Sequence, residues 1–132
     1  MKRLLNAIVI HCSATPNFKD FNALGIDAMH KARGFRRDTQ AKRDFNPHLE
    51  SIGYHFVIDI NGKIETGRGI EEIGAHVQGS NSHSIGICLI GTSKFSDEQS
   101  SALKQLMLSL VSKISGRGIH TATSCITALK DM

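Results

Sequence analysis

The chain has only three cysteines in 132 residues, Cys12, Cys88 and Cys125. An odd number without an export signal argues against a disulfide framework and makes reduced thiols the expectation. No apolar run approaches the roughly 18 residues that a bilayer-spanning helix requires. After Lys2 and Arg3 the apolar residues are interrupted by Asn6, His11 and Ser13, too early for a signal peptide. The expectation is therefore a product made in the cytoplasm. Internal repeats, low-complexity tracts and recognised nucleic-acid motifs are all missing. The basic residues, which give a net charge of +4 and a pI near 9.2, also fail to gather into one tract. Their densest stretch, Lys31 to Arg43, is interleaved with Asp38 and reads as a solvated face rather than a nucleic-acid footprint. What is present is a 40% apolar composition, enough for one ordinary domain over residues 1–132 with a normal core.

Periodicity divides the chain into strands and helices. Ala7 to Cys12 is a β-branched run that predicts a buried strand ending at His11 and Cys12. Leu24 to Arg33 has helical spacing, with Gly34 placed to stop it. The polar stretch Arg36 to Ser51 reads as a long surface loop with room for a short helical turn. Tyr54 to Ile60 alternates with period two and runs into Asn61-Gly62, a hairpin signal that returns the chain as Lys63 to Thr66. Ser84 to Ile90 is another strand, in which Gly86 marks a close backbone approach. Ser96 to Gln99 has capping-box spacing before an apolar stripe of Ala102, Leu103, Leu106, Met107, Leu110, Val111 and Ile114. The fold class expected is α/β, a mixed central sheet with flanking helices.

Seven histidines are spread through the chain. His11, at the end of a buried strand, is either a core imidazole bonded to backbone or a ligand projecting into a cleft. His120 and Cys125 pair an imidazole with a thiol, chemistry suited to zinc, although ordinary tail residues read the same way. Cys12 and Cys88 read as small buried hydrophobes.

Four ordered blocks carry a resemblance. IVIHCSAT at 8–15, MHKARGF at 29–35, IGYHFVIDINGKIETGR at 52–68 and IGAHVQGSNSHSIGICLIG at 73–91 resemble the phage-type amidases of the amidase_2 and peptidoglycan-recognition-protein superfamily, over about residues 1–115. The resemblance implies an N-acetylmuramoyl-L-alanine amidase that hydrolyses the lactyl amide between N-acetylmuramic acid and L-alanine with a zinc-bound water. It implies peptidoglycan or muropeptides as partners and a phage-type lysis enzyme or a wall-recycling enzyme as the setting. By position, His11 matches the first zinc ligand, Tyr54 the tyrosine beside the scissile carbonyl, and His76 a residue of the substrate groove.

The tail, GRGIHTATSCITALKDM, departs from the pattern. Relatives supply a second zinc histidine and a Lys-x-Cys-Pro stretch. Here Ala122 falls where that histidine belongs, and the metal set becomes His11, His120 and Cys125 only with a shift. Such a tail would suit a truncated or frame-shifted C-terminus. Weak zinc binding and little amidase activity are therefore expected, and the alternative reading is a catalytically impaired peptidoglycan-binding or regulatory homologue.

Overall fold

In the computed structural model, which describes residues 3–113 and 120–123, the alternating runs become the strands of a single five-stranded sheet. The elements are β1 (Ala7–Cys12), α1 (Ala23–Ala32), α2 (Thr39–Asp44), β2 (Phe56–Ile58), β3 (Ile64–Thr66), β4 (Ser84–Leu89), α3 (Asp97–Lys113) and β5 (His120–Thr123). Their order across the sheet is β3-β2-β4-β1-β5, with β2, β4, β1 and β5 parallel and β3 antiparallel on the edge. The three strands read from Ala7 to Cys12, Tyr54 to Ile60 and Ser84 to Ile90 lie side by side as β1, β2 and β4, with β4 between the other two. β5 was not foreseen, since four residues of a polar tail carry no period to read.

Period two sorts the strand residues onto two faces. Ile8, Ile10, Ile58, Ile85, Ile87 and Leu89 pack against Ala102, Leu103, Leu106 and Leu110 of α3. That confirms the amphipathic stripe, although Val111 is half exposed and Ile114 lies outside the described residues. On the opposite face Val57, Cys88 and Ile90 pack with Ala23 and Ile26 of α1 and with Leu49 and Ile52. The register aligns His11 with Cys88 and Cys88 with Val57, so His11 belongs to the α1 face.

The capping box closes reciprocally: Gln99 N–H donates to Ser96 Oγ at 3.0 Å, and Ser96 N–H donates to Gln99 Oε1 at 2.9 Å. Two expectations need correction. The hairpin turn is one residue longer than Asn61-Gly62 alone. Asp59 N–H bonds Lys63 O at 2.9 Å, which leaves Ile60, Asn61 and Gly62 as the loop, with Gly62 left-handed at φ 86. This is the three-residue hairpin geometry, in which glycine takes the strained position. The stretch Arg36 to Ser51 is not simply a surface loop. Arg37 is buried in it, its guanidinium gripping both oxygens of Glu72 and the carbonyls of Asn46, Leu49 and Phe45. A polar chain folded around a buried guanidinium has no hydrophobic signature to detect.

Candidate active site

The α1 face of the sheet gathers four aromatic side chains, His11 from β1, Tyr54 from the segment entering β2, His76 over Ser84 and Gly86 of β4, and His30 from α1. His11, the next-to-last residue of β1, has its ring 5.1 Å from that of Tyr54 and 5.0 Å from that of His76. Tyr54 is 6.5 Å from His76 and 5.1 Å from His30. The rings of His11, Tyr54 and His76 thus pack together, but of the three only Tyr54 and His76 line the cleft. His30, read from sequence only as a helix residue, joins them. Nothing in its local sequence separates it from an ordinary buried position on α1.

Tyr54, His76 and His30 line a cleft of about 360 Å³ with Arg33, Phe35 and Asn81. His11 packs behind that cleft, 7% exposed. A larger surface hollow, about 810 Å³ beside Lys94 and Lys104, is lined by no imidazole, thiol or phenol.

Two glycines make room for His76. A β-carbon on Gly86 would stand 2.6 Å from the His76 ring, and one on Gly74 would stand 2.8 Å from both His76 and His55. Gly86 is the close approach expected from sequence. Asn81 Oδ1 accepts the backbone N–H groups of His76 and Val77, both at 2.9 Å, which fixes the segment carrying the ring.

The hydrogen-bond chain also sets the ring protons. The Ser84 hydroxyl donates to Ser80 O at 2.7 Å, so at 3.1 Å it accepts from His76 Nε2–H. His76 Nδ1 is then an acceptor, and the proton 2.8 Å away must sit on His11 Nε2. His11 consequently bears its lone pair on Nδ1. Burial lowers the pKa of His11 to about 4 and, with help from neighbouring imidazoles, that of His76 to about 3. Both are neutral at pH 7. Burial first, and the adjacent Cys88 thiol second, raise the Tyr54 phenol above its ordinary value, so it keeps its proton throughout the physiological range.

β5 lies beside β1 with His120 opposite Ala7 and Ala122 opposite Val9. His120 is therefore four residues back from the level of His11, roughly 13 Å along the strand. Cys125 lies outside the described residues. Among the described residues no group of three or more His, Cys, Asp or Glu side chains is placed to hold a metal ion, and no helix is long and apolar enough to cross a membrane.

Comparison with known proteins identifies the family. The family model for N-acetylmuramoyl-L-alanine amidase, Amidase_2, matches residues 1–127. The endolysin of Escherichia phage T7 is 31% identical over 119 residues, covering 84% of this chain and 70% of the endolysin. Peptidoglycan-recognition protein SC2 of Drosophila melanogaster is 32% identical over 112 residues, covering 83% of this chain and 56% of its own length. Among solved structures, the endolysin N-acetylmuramoyl-L-alanine amidase LysCS from Clostridium intestinale superposes with a TM-score of 0.70 at 28% identity, covering 89% of this chain and 68% of that one. With the family model matched over residues 1–127 and the T7 endolysin 31% identical across 84% of the chain, the chain belongs to the Amidase_2 family of N-acetylmuramoyl-L-alanine amidases.

Proposed function

We propose that the cleft receives the lactyl amide between N-acetylmuramic acid and L-alanine of peptidoglycan, and that the chain acts on it as a zinc-dependent amidase. The observation that carries this reading is the packing of His11, Tyr54 and His76 rings within 6.5 Å of one another at the edge of a cleft.

The residues fit zinc at His11, whose neutral ring and lone pair on Nδ1 are the form that a metal binds. Cys125 is proposed as a partner, whereas the register of β5 sets His120 roughly 13 Å along the strand from the level of His11 and leaves it out of the set. Zinc bound there supplies Lewis-acid activation of water and of the amide carbonyl. The chain's own contribution is positional and electrostatic. Tyr54, protonated at any physiological pH, donates a hydrogen bond to the carbonyl oxygen as charge gathers on it. His76 carries one proton, already given to Ser84 Oγ, and therefore serves as a neutral wall of the groove. We assign the proton for the departing L-alanine amine to solvent.

One observation favours a second reading, a peptidoglycan-binding homologue with an incomplete metal site: the register of β5, which sets His120 level with Ala7. Purified untagged chain settles the matter through three measurements: muropeptide binding, zinc content and release of L-alanyl peptides from peptidoglycan. Binding that is weakened by His76→Ala, with about one zinc per chain and peptide release abolished by Tyr54→Phe or Cys125→Ala, is the outcome expected of the amidase. Binding without zinc or release selects the second reading. Absence of binding, zinc and release overturns both.

A further inference from the structure

We propose that Asp27 is a positioning residue for Tyr54, acting through the backbone amides that lead into it. Asp27 sits on α1 and is 6% exposed. Its Oδ1 accepts the N–H groups of Ser51 at 2.6 Å and Ile52 at 2.7 Å, and its Oδ2 accepts that of Glu50 at 3.2 Å. One turn further along the helix, His30 Nδ1 accepts the next amide, Gly53 N–H, at 2.8 Å. Two side chains spaced i, i+3 on one helix face thus hold four consecutive backbone donors, a task that a neighbouring strand performs elsewhere in a sheet.

The carbonyls of the same segment are held from the other side. Arg68 Nε donates to Ile52 O at 2.6 Å, and Ala75 N–H donates to Gly53 O at 3.0 Å. A β-carbon on Gly53 would stand 2.0 Å from Ala75 O, so the segment before His76 lies directly against it. Tyr54 follows this doubly held segment, and its ring rests on His30. The carboxylate is the strongest acceptor in the set, because hydrogen bonds to an ionised group are shorter and roughly twice as strong as neutral ones. Loss of its grip frees residues 50–53 and, with them, the path of the chain into Tyr54.

The sequence supplies a selective probe. Tyr54 is the one tyrosine and there is no tryptophan, so tyrosine fluorescence and the tyrosine band in near-ultraviolet circular dichroism report on this residue alone. The experiment compares the full chain with Asp27→Asn and Asp27→Ala, using far-ultraviolet circular dichroism and urea unfolding to establish that each is folded. Asparagine keeps an acceptor for Ser51 and Ile52 but sets an amide donor against Glu50 N–H; alanine removes every acceptor. The expected result is a graded loss of the tyrosine dichroic band and a graded rise in acrylamide quenching, from wild type through Asp27→Asn to Asp27→Ala. A folded Asp27→Asn chain with the wild-type Tyr54 signals overturns the proposal. So does an Asp27→Asn chain that cannot fold, since the carboxylate would then serve stability at large; failure of Asp27→Ala alone leaves Asp27→Asn to decide.

A second arm rests on the peptidoglycan reading above. Affinity for N-acetylmuramoyl-L-alanyl-D-isoglutamine should fall in step with the Tyr54 signals. If the wild type does not bind this probe, the peptidoglycan reading fails while the spectroscopic arm still decides the role of Asp27. If binding is intact in Asp27→Asn and the Tyr54 signals are unmoved, the positioning role fails and the peptidoglycan reading survives.

Discussion

Acidification should act on this fold through its buried imidazoles, and His30 offers the cleanest case. Its Nδ1 accepts Gly53 N–H at 2.8 Å, an arrangement open only to the neutral ring, and burial followed by the charges of Arg33 and Arg68 lowers its pKa from 6.5 to about 4. In the unfolded chain the imidazole titrates at its ordinary value. Between about pH 4 and 6.5 the unfolded state therefore holds a proton that the folded state lacks, so this residue's contribution is complete above pH 6.5 and is lost as pH falls toward 4. One proton corresponds to about 1.4 kcal/mol per pH unit, or about 3 kcal/mol across the window. His55, with Nδ1 accepting Gly86 N–H and a pKa also lowered to about 4, adds a second increment of the same sign. Other groups titrate in this range too, so the measurement is a difference. His30→Asn offers an amide oxygen in place of Nδ1 and cannot titrate. Urea unfolding from pH 7 to pH 4.5 should give a stability slope shallower than wild type by about 1.4 kcal/mol per pH unit, whatever the loss of ring packing does at pH 7. Equal slopes in the two proteins would refute the assignment of a neutral His30.

Three further outcomes follow from the same geometry. Asp59, buried beside Glu65 with Oδ1 unpartnered, has its pKa raised to about 7, first by burial and then by that neighbour. A raised acid stabilises least above its folded pKa, so Asp59→Asn should gain about 1–2 kcal/mol in urea unfolding at pH 8 and much less at pH 4. Gly86→Ala drives a β-carbon to 2.6 Å from the His76 ring and should cost about 1–3 kcal/mol in the same assay, with muropeptide binding lost. Ser96→Ala opens the reciprocal cap of α3 and removes the hydroxyl that donates to Ile60 O. It should lower stability by about 1–2 kcal/mol, readable as a drop in the urea midpoint.

Legibility of the sequence tracked the range of the forces involved. The capping box at Ser96 and the strand that carries His11 are local, set by residues within a few positions, and each is found where the sequence put it; the close approach at Gly86 is also found, though His76 makes it from ten positions away. The family blocks located Tyr54 and His76 because those positions stand inside contiguous motifs. Contacts between distant polar groups had no such signal. Arg37 finds Glu72 across 35 residues, and Asp27 finds Ser51 and Ile52 across a segment read as loop. A buried carboxylate or guanidinium is expensive unless paired, yet the partner that makes it tolerable is named nowhere near it. His30 was missed although it stands inside the 29–35 block, since its acceptor role depends on Gly53 being held against it beside the amides bonded by Asp27.

The same division separates recognition from chemistry in this chain. The described groups that shape the cleft walls lie between Asp27 and Gly86: the amides held by α1, the glycines that admit His76, and the Asn81 amide that fixes its loop. These groups depend on one another through short buried hydrogen bonds, so a change at any of them should disturb Tyr54 and His76 together. The proposed metal chemistry needs His11 and whatever donors stand beside it, and β1 carries His11 while His76 Nδ1 ties its ring to the cleft wall. Substitution at Cys125 should leave muropeptide affinity intact while altering zinc content, whereas substitutions at Asp27, Gly53 and Gly86 should lower muropeptide affinity. A tail substitution that weakened binding as strongly as it weakened zinc retention would show the two halves to be one cooperative unit.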